Sequence, residues 1–472
     1  MPAPVILWLR RDLRLSDHPA LAAALAQGAP VIPVFIRDAG VDGLGAAPKF
    51  RLGLSLQALA GDLEAVGSRL ILRAGPAREV LEDLARQTGA GAVHWSRLYD
   101  PETTERDSRV KSALRDAGLR ATSHAGHLLF EPWEVETGQG GYYKVFTPMW
   151  RNVKDRDLPQ PRPAPAHIPA PDRWPDSDRL ADWQLGAAMD RGAAIVARHV
   201  DAGEAAALAR LSVFIRDRAE DYARSRDFPG RDGTSDLSDH LSLGEISPRR
   251  CWHAALRAAQ DGKAGAETFR KELVWREFAY HLMYHTPQLL DANWRPEWDG
   301  FDWDRDARSA RVRAWKQGRT GVPFVDAAMR QMYVTGRMHN RARMIAASYL
   351  TKHLLCHWSI GAEWFRDCLV DWDVASNALG WQWVAGSGPD AAPYFRIFNP
   401  DTQAAKFDPG GSWRRAWIAE GQADPPQTAR SWYAAIPRHW ALSPDQPYPE
   451  PVVSLSDGRR AALEAYARHK VE

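Results

Sequence analysis

The chain has 472 residues, 45% hydrophobic and 25% charged, with a formal net charge of +2. This is a globular composition, long enough for two or three domains, and an anionic partner must meet a local basic face rather than a charged whole. No apolar run reaches bilayer length, the opening MPAPVILWLRRDLRLSD leads into charges instead of a cleavage site, and Cys251, Cys356 and Cys368 form no CxxC pair, which excludes a spanning segment, a secretory leader, a disulfide framework and a zinc or iron–sulfur site.

In chain order, PVILWL reads as a first strand, and Asp17 is placed to cap a helix beginning near Pro19. APVIPVFI is a second strand, followed by a helix from about Phe50 to Val66. Strand RLILR, helix PAREVLEDLARQTG, strand GAVHWS, a charged helix from about Glu102 to Ala117 and strand LRATSH complete the unit. Strict strand–helix alternation predicts a parallel sheet covered on both faces over 1–131. The turn after the first strand, RRDLRLSD, carries no GxGxxG, so the usual NAD site is not expected.

From Pro132 the alternation stops. LPQPRPAPAHIPAPDRWP reads as an extended, proline-rich connection, and 132–202 is expected to be a linker. From Gly203 onward apolar residues recur at helical spacing, so 203–472 is predicted all-helical. The fold class is therefore α/β followed by all-α.

The helical half concentrates unusual chemistry. Tryptophan occurs 21 times in the chain, several times its average usage of about 1%. Large cores explain most of these residues, but flat indole walls also suit a flavin or a nucleobase. In TSDLSDHL, hydroxyls ahead of a helix serve either as a plain cap or as a cradle for a pyrophosphate. In KELVWREF, Glu272 and Trp275 stand three apart and share a helical face. That Glu reads either as a surface ion pair with Lys271 or Arg276, or as a carboxyl placed in a pocket. Asn340 and Met344, four apart in HNRARM, share another face.

Five segments, DFPGRDGTSDLSDHLSLGEISPR, KELVWREFAYHL, GVPFVDAAMRQMYVTGRMHNRARM, DWDVASNALGWQWVAGSGPDAAPYFRIFNP and QAAKFD, together with VILWLRRDLRLSDHPAL at the start, resemble the photolyase/cryptochrome family. The resemblance spans nearly the whole chain and is most similar to bacterial photolyases that repair cyclobutane pyrimidine dimers. It implies an antenna-type α/β domain, a helical domain holding FAD, UV-damaged DNA as the partner, and a monomeric cytoplasmic protein.

Residue by residue, the resemblance implies that Tyr222, Thr234, Ser235, Leu237 and Ser238 hold the FAD phosphate side, with Asp236 and Asp239 turned outward. Asn377 matches the amide facing flavin N5, where plant-type photoreceptor members carry an acid. Arg343 and Asp371 match an ion pair beside the flavin ring, and Asp373 a carboxylate of the same pocket. Trp381, Trp358 and Trp303 match an electron-transfer chain to the surface, with Trp303 as its outer member. Glu272, Trp275, Asn340 and Met344 match the lesion pocket. In relatives that repair (6-4) photoproducts a second histidine follows His339, and here it is Asn340. Arg226, Trp275, Arg341 and Arg396 match DNA contacts, with Arg330, Arg337 and Lys352 extending a basic face. Around YDPETTERD the match is loose, so the antenna stays open between methenyltetrahydrofolate, a deazaflavin, another flavin and none. The competing readings are a signalling cryptochrome, a (6-4) photolyase and a light-independent nucleic-acid binder.

Overall fold

The computed structural model describes residues 2–394 and 396–470. Five strands, β1 (Val5–Leu9), β2 (Val31–Arg37), β3 (Ile71–Ala74), β4 (Ala92–Ser96) and β5 (Arg120–His124), form one parallel sheet in the order β3-β2-β1-β4-β5. Val5 pairs with Val31 on one side and Ala92 on the other. The central strands β1, β2 and β4 are buried at nearly every position because both faces are covered. Leu7, Leu9, Val31 and Phe35 pack with the Ala46–Ala65 helix, while Ile6, Trp8, Ile32 and Val34 pack with Ala77–Thr88 and Pro101–Asp116.

Two local expectations are corrected. The helix predicted from Phe50 begins at Ala46, because Pro48 falls in its first turn, where a missing N–H is tolerated. The cap of Pro19–Leu25 is His18, whose side chain accepts from Leu21 N. Asp17 instead accepts from Ser247 Oγ at 2.5 Å and pairs with Arg249, tying the sheet domain to the helical part.

The stretch expected to be a linker is partly structured. Phe146, Met149, Trp150 and Val153 are buried on one face of a Phe146–Val153 helix, at the i, i+3, i+4, i+7 spacing of an amphipathic helix. The proline-rich stretch is extended, and Ile168, fully buried, packs into the sheet domain's core.

Past Gly203 the chain is helical. Two helices continue as single π turns, Phe214–Arg218 after Glu204–Val213 and Tyr349–His353 after Asn340–Ser348. The Ala266–His285 and Val374–Ala385 helices pack together at the centre. No helix among the described residues is long and apolar enough to cross a membrane. Cys251 and Cys356 are buried and Cys368 partly so, all as free thiols. Burial raises the pKa of Cys251 to about 12 and of Cys356 to about 11, and pushes Cys368 well above its ordinary value.

A buried ionic network joins the two halves. Arg51, on the Ala46–Ala65 helix and fully buried, donates to both oxygens of Glu245 at 2.9 and 2.6 Å and reaches Asp239 at 3.4 Å. Glu245 also accepts from Gly203 N at 2.7 Å and pairs with His240 at 2.5 Å. Burial alone would raise the pKa of Glu245, but hydrogen bonds from His240 and Arg51 hold it down to about 2. Arg51→Met would leave two buried carboxylates short of a cation, and such a loss costs about 3–5 kcal/mol. Urea or thermal denaturation checks this, and a stability equal to wild type would contradict it.

Candidate active site

Between the Ser238–Leu243, Ala266–His285, Asn340–Ser348 and Val374–Ala385 helices lies a cavity of about 870 Å³. Each wall follows from a local feature of the chain. Asp373 caps the Val374–Ala385 helix by accepting from Ser376 N at 2.8 Å, and its other oxygen takes the Tyr280 hydroxyl at 2.6 Å. His339 caps Asn340–Ser348 through Nδ1, which accepts from Arg341 N at 3.1 Å. That cap requires a neutral ring, and burial lowers the pKa of His339 to about 4.

On the floor, Asp371 Oδ2 accepts from Arg343 Nη2 at 2.6 Å and Ser238 Oγ at 2.7 Å. Asp371 Oδ1 is buried and has no protein donor. Asn377 donates Nδ2 to Ala362 O at 3.0 Å, which leaves its amide oxygen as the uncommitted acceptor. Ser238 bonds to Asp371 and does not cap its helix, so the plain-cap reading of TSDLSDHL fails for this hydroxyl.

On the outer walls, Glu272 pairs with Arg226 rather than with Lys271 or Arg276. Lys271 pairs with Glu267, and Arg276 donates to His127 O at 3.0 Å. Trp275 lies flat on Phe146, centroids 3.8 Å apart and planes 3° apart, which holds the indole in a fixed orientation. Opposite them, Asn340 Nδ2 reaches Met344 Sδ at 3.9 Å. Arg341 pairs with Asp227 at 2.7 Å.

The cavity brings together Tyr222, Arg226, Thr234, Ser235, Leu237, Ser238, Glu272, Trp275, Asn340, Arg341, Arg343, Met344, Asp371, Asp373, Asn377 and Trp381. Arg396 is exposed and lies outside the lining. Trp358 and Trp303 lie behind it. Trp381 contacts Phe365 at 4.9 Å, and His357 bridges Trp358 at 5.3 Å and Trp303 at 5.4 Å. Trp303 is only 6% exposed and is enclosed by Trp298 and Phe301, so it does not form the surface terminus that the resemblance implied.

Two further expectations are overturned. Asp239 is fully buried between Arg51 and Arg337, since a carboxylate this deep needs cations on hand; only Asp236 is turned partly outward, accepting from Thr234 Oγ1 at 2.7 Å. Arg330, Arg337 and Lys352 do not extend a basic face. Arg330 is buried against Glu420, Arg337 is partly buried and pairs with Asp239, and Lys352 Nζ, fully buried, donates to Arg396 O at 3.2 Å.

Phe146 and Asp227 were missed. Phe146 sat in the presumed linker, where the amphipathic spacing of FTPMWRNV was the available signal. Asp227 looked like any surface acid.

A second hollow, of about 1790 Å³, opens at the C-terminal ends of the strands, where the order reverses between β1 and β4; open α/β sheets take ligands at such a point. Glu102 and Thr103 line it with Arg10 and Arg106. Both arginines are already partnered, Arg10 with Asp107 and Arg106 with Asp38, each at 2.7 Å.

A parallel-sheet domain locked to a helical domain with an aromatic, charge-paired cavity defines a two-domain protein built around a large flat ligand. Residues 5–169 match the family model described as DNA photolyase, and residues 269–468 the one described as FAD binding domain of DNA photolyase. The chain is 45% identical over 473 residues to a deoxyribodipyrimidine photo-lyase of Agrobacterium fabrum, covering 99% of this chain and 98% of that protein. A solved class III photolyase from Agrobacterium tumefaciens superposes with a TM-score of 0.92 at 44% identity, covering 100% of this chain and 98% of the other. A Synechocystis cryptochrome superposes at 0.84 with 28% identity, covering 98% and 99%. The chain belongs to the photolyase/cryptochrome family.

The cavity's residues fit FAD. The unpartnered Asp371 Oδ1 needs a donor of the kind a flavin imide carries. Asn377 offers an acceptor, and the hydroxyls of Thr234, Ser235 and Ser238 line the cavity, those of Thr234 and Ser238 donating to Asp236 and Asp371.

Three histidines of the helical half, of which His339 lines the cavity, give the protein a pH signature. His339, His353 and His357 are each lowered to about 4 by burial, against about 6.5 in the unfolded chain. Between those values the unfolded state binds more protons, so stability is full above about 6.5 and falls as pH drops toward 4. Glu277, pushed up to about 7 by burial, acts in the opposite sense and offsets only part of the loss. Thermal midpoints recorded from pH 7.5 to 4.5 should decline, and a flat profile would contradict the assignment.

Proposed function

We propose that this chain is a light-driven DNA repair lyase that splits cyclobutane pyrimidine dimers. The observation that carries the reading is the facing of two pairs across one cavity, Glu272 with Trp275 and Asn340 with Met344, above a floor of Asn377, Asp371 and Arg343. FAD held there by Asn377, Asp371 and Arg343 would supply, in its reduced form, light-driven one-electron chemistry that opens the cyclobutane ring with no net redox change.

The chain's own residues do the rest. Trp275, braced by Phe146, offers a stacking face to a dimer drawn out of the duplex. Extrusion costs a few kcal/mol, least for a poorly stacked lesion, and stacking at about 1–3 kcal/mol per base offsets much of it. Asn340 brings an amide donor to the lesion's carbonyls, where extra charge on the dimer is stabilised, and Glu272 brings an acceptor to the lesion's imide N–H. Asn377 stays neutral through the cycle. Arg343 and Ser238 hold one oxygen of Asp371 and leave the other, Oδ1, to meet the flavin. Arg226, Arg341 and Arg396 supply phosphate contacts. Trp381 and Trp358, with Trp303 beyond His357, are the candidate rings for relaying an electron from an external reductant to an oxidised flavin. The strand-end hollow is the candidate seat of an antenna chromophore. Its arginines are neutralised, so a ligand there gains little from phosphate charge.

Incubating the purified protein with a thymine-dimer oligonucleotide should restore monomers under blue light and not in the dark; no light-dependent repair would sink the reading. Glu272→Ala should retain its bound flavin and lose repair yield by roughly tenfold or more, the scale of removing one preorganised hydrogen-bonding group. An unchanged yield would remove Glu272 from its role.

A further inference from the structure

Arg226 and Asp227 are consecutive, and they reach opposite walls of the cavity. Arg226 pairs with Glu272 on the Ala266–His285 helix, while Asp227 pairs with Arg341 on Asn340–Ser348 at 2.7 Å. The four groups form a line of alternating charge, Glu272, Arg226, Asp227, Arg341, from one wall to the other, and all four line the cavity. The arginine side chains are about a fifth exposed and the carboxylates about a third, so a phosphate can reach them from solvent. Arg341 also lies over the Phe407 ring at 4.6 Å, and its Nε is buried without a partner, so its guanidinium is held in place with donor capacity unspent.

From this we infer that Asp227 is an internal phosphate surrogate that occupies Arg341 in the free protein and must give it up to the DNA backbone. The inference rests on the reading that Arg341 lies on the DNA path. A carboxylate and a phosphate diester compete for the same planar fork of donors. Asp227 therefore holds down affinity for any duplex by keeping one cation of the track neutralised. Glu272 holds Arg226 in the same manner, but a lesion that takes up Glu272 releases that arginine, whereas intact DNA brings nothing to replace it. The Asp227 pair sets the background affinity, and the Glu272 pair ties Arg226 to the presence of a lesion.

The test is a double-mutant cycle on the full-length, flavin-loaded protein with an undamaged duplex, by fluorescence anisotropy across a salt series. Asp227→Asn should bind about two- to fivefold more tightly, the scale of a partly exposed ion pair. Its plot of log affinity against log salt should steepen by about one, because the wild-type exchange bares Asp227, which takes up a cation as one leaves the DNA. Arg341→Gln should bind more weakly, and Asp227→Asn should add nothing in that background. Asp227→Ser removes the same charge with a different side chain and should tighten binding alike, which guards against a folding defect in one variant. Weakened binding by Arg341→Gln without tightening by either Asp227 variant overturns the inference alone. So does equal tightening by Asp227→Asn with and without Arg341, which would be the general effect of removing a negative charge. If Arg341→Gln binds as wild type, both the inference and the placement of Arg341 on the DNA path fall.

Discussion

Arg51 is the hinge-pin of the architecture. Its guanidinium, taken wholly out of water, is stable only because Glu245 and Asp239 meet it from the helical half. Asp239 passes the constraint on to Arg337, one residue before the Met338 carbonyl that accepts from Arg343 Nε at 2.8 Å. The neighbour of Asp239, Ser238, reaches Asp371, which holds the other arm of Arg343. An unbroken series of charged and polar contacts thus runs from the sheet domain to the cavity floor. A flavin bound against Asp371 and Asn377 is oriented by a scaffold that includes both halves of the molecule.

The same economy of charge governs the cavity rim. Arg226, Arg341 and Arg343 are each joined to a carboxylate before any ligand arrives. Asp371 is not saturated, with one oxygen bonded twice and the other left without a donor. Selectivity then comes from what a ligand can replace. A donor for Asp371 or a polar group for Glu272 is rewarded, and a simple anion must first displace a carboxylate.

Much of this was legible in the chain. The five strands follow from runs such as PVILWL and GAVHWS, whose apolar residues sit at consecutive positions because helices cover both faces. Glu272 and Trp275 were placed on one face by helical periodicity alone, and Asn340 and Met344 likewise. The roles of Asn377, Asp371 and Arg343 came from family resemblance, and the structure supplies their geometry. What escaped was partnership across long separations. Arg51 and Glu245 lie 194 residues apart, and no local pattern marks them as a pair. Asp239 is expected to face outward because a carboxylate turned toward the FAD phosphates would repel them, and only the positions of Arg51 and Arg337 show where it goes instead. Phe146 was hidden by the neighbouring prolines, which made its whole segment look like connection. Trp303 shows the limit of alignment by spacing: the indole occupies a plausible step in a row of rings, but its burial depends on Trp298 and Phe301.

The three thiols carry a consequence for a protein that works in light. A flavin under illumination in air is a source of peroxide and other oxidants, and these attack sulfur through the thiolate. Cys251, Cys356 and Cys368 are all kept in their protonated form by apolar surroundings. The molecule thereby carries almost no thiolate at neutral pH, and prolonged exposure should leave its cysteines free of sulfenic acid and of intermolecular crosslinks.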